Sequence, residues 1–586
     1  MATSSSLFRS KKLSLFLNLS FLLLLTLYLK TILFPSNLNS TLFHLSSDIR
    51  PPTTTISHLR LLSDITTNGC TGLQKYTDNK YKCFYVKTHI GCRPKGYIDY
   101  LQIFYCNFGQ FPILGHFVLL LWLLVLFYLL GNTAANYFCS SLESLSKILK
   151  LSPTIAGVTL LSLGNGAPDV FASIVSFTRS GNGDLGLNSV LGGAFFVSSI
   201  VVGIISIVIT SHRISVDKCS FIRDALFFLF SLFSLLLIVA IGKINLWGAI
   251  CFTSIYLVYV CVVSAMHFFC GDKDNGVGHV GEAGIPLLGY IDDEKPVLKS
   301  GLEEQEQIAN FLNLNPEICY YVAKIVHVLE LPLTLPRRLT IPVVSEESWS
   351  KPYAVLSVTL APLLLAALAN TQRENVSLRS SLVTYFTAGL IGMVFGNLAC
   401  VTTKKSSPPK RCLFPWLAGG FLMSVTWTYI IAEELVSLLV SLGHIIGINP
   451  SVLGLTVLAW GNSLGDLIAN IAMAINGGAD GAQIAISGCY AGPMFNVLMG
   501  LGLSLVFSSF SEYPSSFEIP GDPSLYETLV FLMACVLWAL VILPQKNMRL
   551  DKSLGYGLLT IYFCFLFLRL ARAFGLLNLH GSSFIV

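Results

Sequence analysis

PTIAGVTLLSLGNGAPDVFASI runs from Pro153 to Ile174, and PSVLGLTVLAWGNSLGDLIANI runs from Pro450 to Ile471. The two stretches align without a gap. Identical residues stand at Pro153/Pro450, Gly157/Gly454, Thr159/Thr456, Leu161/Leu458, Gly164/Gly461, Asn165/Asn462, Asp169/Asp466, Ala172/Ala469 and Ile174/Ile471. Apolar composition matches Leu with Leu and Ala with Ala by chance. It does not place Gly-Asn-x-x-x-Asp twice inside apolar runs. The chain therefore carries a duplicated unit centred on these two motifs.

What surrounds the motifs is apolar. Of 586 residues, 53% are hydrophobic and 12% charged. A soluble domain carries about 25% charged residues. A helix needs roughly 20 apolar residues to span a bilayer. Thirteen segments qualify: 13–34, 113–131, 152–178, 190–211, 222–241, 245–267, 353–370, 380–401, 412–441, 451–476, 483–507, 526–543 and 553–574. The fold class is an all-α polytopic membrane protein whose environment is the lipid bilayer. The net charge of +5 forms no basic patch interleaved with aromatics, so nucleic acid is excluded as a partner.

Lys and Arg stay cytosolic in short flanking loops. Arg9, Lys11 and Lys12 place the amino terminus inside if the first segment is uncleaved. Alternate counting then puts Lys147, Lys150, Arg213, Lys218, Arg223, Lys404, Lys405, Lys410, Arg411, Lys546, Arg549 and Lys552 inside as well. Arg179, Arg373 and Arg379 are the exceptions. The two motif segments are third and tenth in this count, so they run in opposite directions. Related helices of opposite direction are the mark of an inverted-topology repeat, whose halves meet near the bilayer midplane.

The first segment is either a signal anchor or a cleaved signal peptide. Either leaves the stretch up to 112 outside the cytosol. It holds Cys70, Cys83, Cys92 and Cys106. In an oxidising compartment these are expected to form two disulfides, and three connectivities are open. The cysteines favour the secretory or endomembrane system: plasma membrane, vacuole or endoplasmic reticulum. Asn39 and Asn375 begin glycosylation sequons. The loop 268–352 holds Asp292, Asp293 and Glu294 but no EF-hand spacing, and reads as a tether with one interfacial helix.

A carboxylate at mid-membrane costs about 2.5–3.5 kcal/mol and normally faces a cavity or a partner. Asp169 and Asp466 lie mid-segment with no Lys or Arg on their own helices nearby. Two carboxylates balance one Ca²⁺ or two monovalent cations. Ca²⁺ takes six to eight oxygens, so more ligands are needed. Asn165, Asn462 and Ser463 offer them one turn away. Thr159 and Thr456 are accessory candidates, although a bond to their own helix carbonyl serves them equally well. Pro168 lacks an N–H and frees a carbonyl one turn earlier. A break is expected there, and also in Gly461–Gly465. Each motif is followed by a Gly-rich link and a second apolar run. These hold Gly192-Gly193-Ala194-Phe195-Phe196-Val197 and Ala491-Gly492-Pro493-Met494-Phe495-Asn496. Their small residues permit close helix approach. Asp184 and Asp480 read as solvated acids of the links. Glu433 and Glu434 are further accessory candidates; anchoring a neighbouring helix is their structural alternative. Snorkelling accounts for Arg569 and Arg572.

GNGAPD (164–169) and GNSLGD (461–466) resemble the two alpha-repeats of the calcium/cation antiporter superfamily. GYIDYLQIFYC (96–106) and LPLTLPRRLTIPVV (331–344) are similar to its cation/calcium exchanger branch, the plant type related to the animal mitochondrial sodium/calcium exchanger. The resemblance covers roughly 70–580. It implies two inverted five-helix repeats of the sodium/calcium exchanger type, at 113–267 and 412–574. The remaining parts are then 1–34, the outer segment 35–112, the loop 268–352, two extra helices within 353–401 and a tail at 575–586. It implies no enzyme and no cofactor. The expected activity is secondary antiport of Ca²⁺ against Na⁺, K⁺ or H⁺ by alternating access, with inorganic cations as partners. The implied ion site is Asn165, Asp169, Asn462, Ser463, Asp466 and Asn496, with Asp169 and Asp466 holding the transported Ca²⁺. Two departures stand out. This chain has Asp where the superfamily commonly has Glu, and Val197 faces Asn496 in the alignment and cannot ligate. A passive cation channel is the rival reading. An intramembrane aspartyl protease is remote, because Ser463 replaces the first Gly of its GxGD motif. The sequence sets no oligomeric state.

Overall fold

The computed structural model describes residues 70–141 without 71 and 93–95, 162–270 without 181–182 and 211–213, 330–344, 349–371, 378–405, 409, 413–519 without 477, and 523–573. Among the described residues, 11 helices are long and apolar enough to cross a membrane. One further helix, 162–180, carries the first motif. In chain order the helices are α1 (Pro112–Cys139), α2 (162–180), α3 (Gly183–Ile209), α4 (Lys218–Ile241), α5 (Leu246–Met266), α6 (Lys351–Thr371), α7 (Leu378–Thr402), α8 (Leu413–Ile446), α9 (Pro450–Ile475), α10 (Gly481–Ser511), α11 (Ser524–Gln545) and α12 (Lys552–Arg572). The segment at 13–34, the sequons at Asn39 and Asn375, Thr159 and most of the loop 268–352 lie outside the described residues. Within that loop, 330–340 is helical.

Helix ends follow local chemistry. The Asp217 side chain accepts from Ser220 N–H at 2.8 Å and caps α4, as a carboxylate does at an orphan helix N-terminus. Gly242, at φ +71°, ends the same helix in the left-handed conformation that glycine adopts without strain. Asn449 caps α9 by accepting from Ser451 N–H, with Pro450 in its first turn.

Segments that alternate counting assigned to one side do meet. β1 (Lys243–Ile244) pairs antiparallel with β2 (Phe517–Glu518). The start of α3 meets the start of α9, where Gly454 abuts the Leu185 carbonyl. Glu527 at the start of α11 pairs with Arg572 at the end of α12. On the opposite face, Ser215 bridges to Arg549 and the Asp217 N–H donates to Gln483. Because α3 begins where α2 ends, and α9 begins beside it, α2 and α9 are threaded in opposite directions.

The duplication extends past the motifs. A π-helical turn follows the second helix of each pair, at Val197–Val201 in α3 and Asn496–Leu501 in α10. Such turns are rare and concentrate at functional sites. Gly186 of α3 packs on Ser176, and Gly481 of α10 packs on the Met473 carbonyl. Ser176 and Met473 are equivalent positions of the two copies.

Two expectations change. The helix continues through Pro168 and through Gly461–Gly465; the distortion instead precedes the second motif, as a π-helical turn at Gly454–Leu458. Tight packing holds the backbone helical although Pro168 donates nothing to the Gly164 carbonyl. Asp184 belongs to the first turn of α3 rather than to a link, where a negative charge complements the helix dipole.

The chain divides into two compact units. One contains residues 303–423, thus α6, α7 and the start of α8. In it Gly392 and Gly396 bring α7 onto Thr359 of α6. Lys351 Nζ donates to the carbonyls of Cys400, at 2.8 Å, and Thr403. The other unit contains 70–302 and 424–586, and with them both motif helices.

Candidate cation site

The two motifs meet through hydrogen bonds that cross from one copy to the other. Asp169 of α2 is buried, 4% exposed. Its Oδ1 accepts from Asn462 Nδ2 of α9 at 2.8 Å, and its Oδ2 accepts from Asn496 Nδ2 of α10 at 2.7 Å. A buried carboxylate without donors would cost several kcal/mol; here both oxygens are satisfied by the opposite repeat. Among the described residues, neither oxygen touches an Arg or Lys.

Three more oxygens on the side chains around this carboxylate have no hydrogen-bond partner of their own. They are Asn462 Oδ1, Asn496 Oδ1 and Ser463 Oγ, all buried. Asp466 lies within electrostatic range of Asp169. It is half-buried, and among the described side chains none donates a hydrogen bond to its carboxylate. No three His, Cys, Asp or Glu side chains gather anywhere among the described residues. A cation here would be held by two carboxylates plus amide and hydroxyl oxygens. These are the hard donors that suit Ca²⁺ and small monovalent cations.

Glycines set the spacing. A methyl group on Gly193 would lie 3.4 Å from Asp169 Oδ2 and 3.3 Å from Ser463 Oγ, so the α3 backbone forms a wall of the site. One on Gly166 would collide with Asn496 Oδ1. One on Gly192 would collide with the Leu455 carbonyl, where α3 crosses the start of α9.

The other sequence candidates fall as follows. Asn165 lies on α2, with its side chain outside the described atoms. Thr456 donates to its own helix, to Val452 O at 2.7 Å. Val197 is buried at the first residue of its π-helical turn, and Asn496 holds the corresponding place in the other. Glu434 bonds to Tyr97 and Tyr100 of the outer segment rather than to the motif residues. Asp480 lies on helical backbone with its side chain undescribed. Arg569 is buried and Arg572 pairs with Glu527. The four cysteines pair as Cys70–Cys92 and Cys83–Cys106.

Sequence reasoning passed over two polar residues one turn beyond the acids. Ser173 bonds to Ser504 of α10 at 2.9 Å, and Asn470 Nδ2 donates to the Asp466 carbonyl at 2.8 Å. They are equivalent positions of the aligned stretches. Being polar but not identical, they left no mark in an identity count.

A family model described as sodium/calcium exchanger protein matches residues 119–265 and 416–571. Cation/calcium exchanger 1 of Arabidopsis thaliana is 54% identical, covering 98% of this chain and 99% of its own length. Cation/calcium exchanger 2 of the same plant is 51% identical over 87% and 92%. The mitochondrial sodium/calcium exchanger protein of Mus musculus is 30% identical over 85% and 89%. A solved structure of an H⁺/Ca²⁺ exchanger, CAX, covers 77% of this chain and 82% of that one, at 13% identity and a TM-score of 0.41.

Proposed function

The chain belongs to the sodium/calcium exchanger protein family, and from that premise we propose that it exchanges Ca²⁺ for a monovalent cation at a site centred on Asp169 and Asp466. It is a multi-pass membrane transporter and not an enzyme. The observation that carries the reading is the Asp169 carboxylate bonded across the repeat by Asn462 and Asn496, with Asp466 one turn after Asn462 on the same helix. The ligands come from two oppositely threaded copies. A small relative rotation of those copies would open the same ligands to one face and then the other, which is alternating access.

The ligand set is Asp169, Asp466, Asn462, Ser463 and Asn496, with Asn165 as the repeat equivalent of Asn462. Ca²⁺ fits two carboxylates and several neutral oxygens; Na⁺, K⁺ or H⁺ would return through the same carboxylates. The disulfides Cys70–Cys92 and Cys83–Cys106 support a membrane of the secretory or endomembrane system. The test is ⁴⁵Ca²⁺ flux into vesicles containing the purified chain, with Na⁺, K⁺ or H⁺ imposed alone as the counter-gradient. Asp169→Asn and Asp466→Asn should each abolish exchange. Normal flux in both variants would refute the site. Flux that neither saturates nor requires an ion on the far side would make the protein a channel.

A further inference from the structure

The disulfide-bonded stretch ending near residue 108 touches the opening helix of each repeat. The Tyr100 hydroxyl donates to Glu434 of α8 and accepts from Trp122 Nε1 of α1 at 3.0 Å. The Tyr97 backbone N–H donates to the same Glu434 carboxylate. Tyr100 is 2% exposed and Glu434 7%, so water competes little for these bonds. Around them Gly96 lies against Ser437 of α8, Gln74 reaches Gly447 in the turn after α8, and Phe104 rests on Gly115 of α1. The bridges Cys70–Cys92 and Cys83–Cys106 close overlapping loops. The stretch is therefore a strut between two helices, and the Tyr100 phenol is bonded to both.

What α1 touches at its other contacts makes this consequential. The Phe127 ring lies against Gly461, and Cys139 Sγ lies against Gly164. Those glycines immediately precede Asn462 and Asn165 in the two motifs. α1 thus rests on both motif helices, yet neither α1 nor α8 supplies any of the six ligands. A helix that carries no ligand but presses on both motif helices can move against the site without dismantling it.

We infer that Tyr100 is a positioning residue that clasps α1, the helix resting on both motif helices, to α8, so that motion of one is passed to the other during transport. This rests on the exchange reading above. Without the phenol hydroxyl, Glu434 keeps only backbone N–H donors from this stretch, those of Tyr97 and Ile98, and Trp122 loses its acceptor. The two helices are then uncoupled, exchange slows, and the ligand geometry is untouched.

The test uses the full chain in vesicles, with Ca²⁺ exchange measured per reconstituted molecule across a range of Ca²⁺ concentrations. Tyr100→Phe, which removes one oxygen, should lower the maximal rate about fivefold, the scale of one or two buried hydrogen bonds. The half-saturating Ca²⁺ concentration should stay within about twofold. Trp122→Phe should act in the same direction. The double variant should be no slower than Tyr100→Phe alone, because both changes break one link. Reductant on the unaltered chain should slow exchange. A normal maximal rate in Tyr100→Phe overturns the inference, as does a shift in half-saturation with the maximal rate intact. If Tyr100→Phe does not fold, a normal rate in Trp122→Phe overturns it. Failure here leaves Asp169→Asn and Asp466→Asn inactive; failure of the exchange reading leaves them active.

Discussion

Asn496 of the second repeat donates to Asp169 of the first at 2.7 Å, and the matching position of the first repeat is Val197. The site is therefore built from two copies but is not symmetric. Asp169 receives an amide that Val197 cannot offer to Asp466.

Asn496→Val removes both a donor to a buried carboxylate and an unpaired oxygen. A hydrogen bond to a charged group is worth about 1.5–3 kcal/mol. The half-saturating Ca²⁺ concentration should rise at least about tenfold, read from the concentration dependence of flux.

Gly192→Ala places a methyl group against the Leu455 carbonyl, whereas nothing lies within 4 Å of a methyl group on Gly492. Backbone cannot yield as a side-chain tip can, so Gly192→Ala should cost about 1–3 kcal/mol. Gly492→Ala should stay within ~0.5 kcal/mol. Thermal unfolding in detergent separates the two.

Asp224 is 1% exposed and is held by Arg223 at 2.9 Å and by the Tyr259 hydroxyl at 2.9 Å. Arg223→Ala leaves a buried acid short of its cation and should cost about 3–5 kcal/mol. Lys243 and Glu518, 62% and 74% exposed, form a pair of similar length. Glu518→Gln should change stability by less than ~1 kcal/mol. Equal melting of the two variants would sink this ranking.

The Ser220 backbone N–H holds the Asp217 carboxyl below the usual carboxylate range. A lowered folded value means that the cap stabilises above the unfolded value of about 3.9 and fades as pH falls through the folded one. Asp217→Ala should lower stability by about 0.5–1 kcal/mol at neutral pH. The difference should shrink toward pH 3, as followed by melting temperature against pH.

Much of this was legible because duplication writes the same signal twice. Asn462 and Asp169 are each visible as a repeated polar residue in apolar sequence, and the inverted threading follows from parity. The bond between them follows from neither. It joins unlike positions of the two copies, which only three-dimensional packing decides. The π-helical turns left no trace, because one extra residue per turn is absorbed without any gap in the alignment. Pro168 was expected to break its helix, but packing holds the backbone helical. The partner of Glu434 was hidden because it lies outside the repeat, 334 positions away at Tyr100. The disulfide pairing was one of three that spacing allows.

The turns at Val197–Val201 and Asn496–Leu501 also separate what the two halves share from what they do not. The same irregularity at the same place in both halves belongs to the duplicated unit. A side chain that opens such a turn is therefore aimed by the unit and chosen by each half separately, and here one half keeps an amide while the other holds an aliphatic side chain.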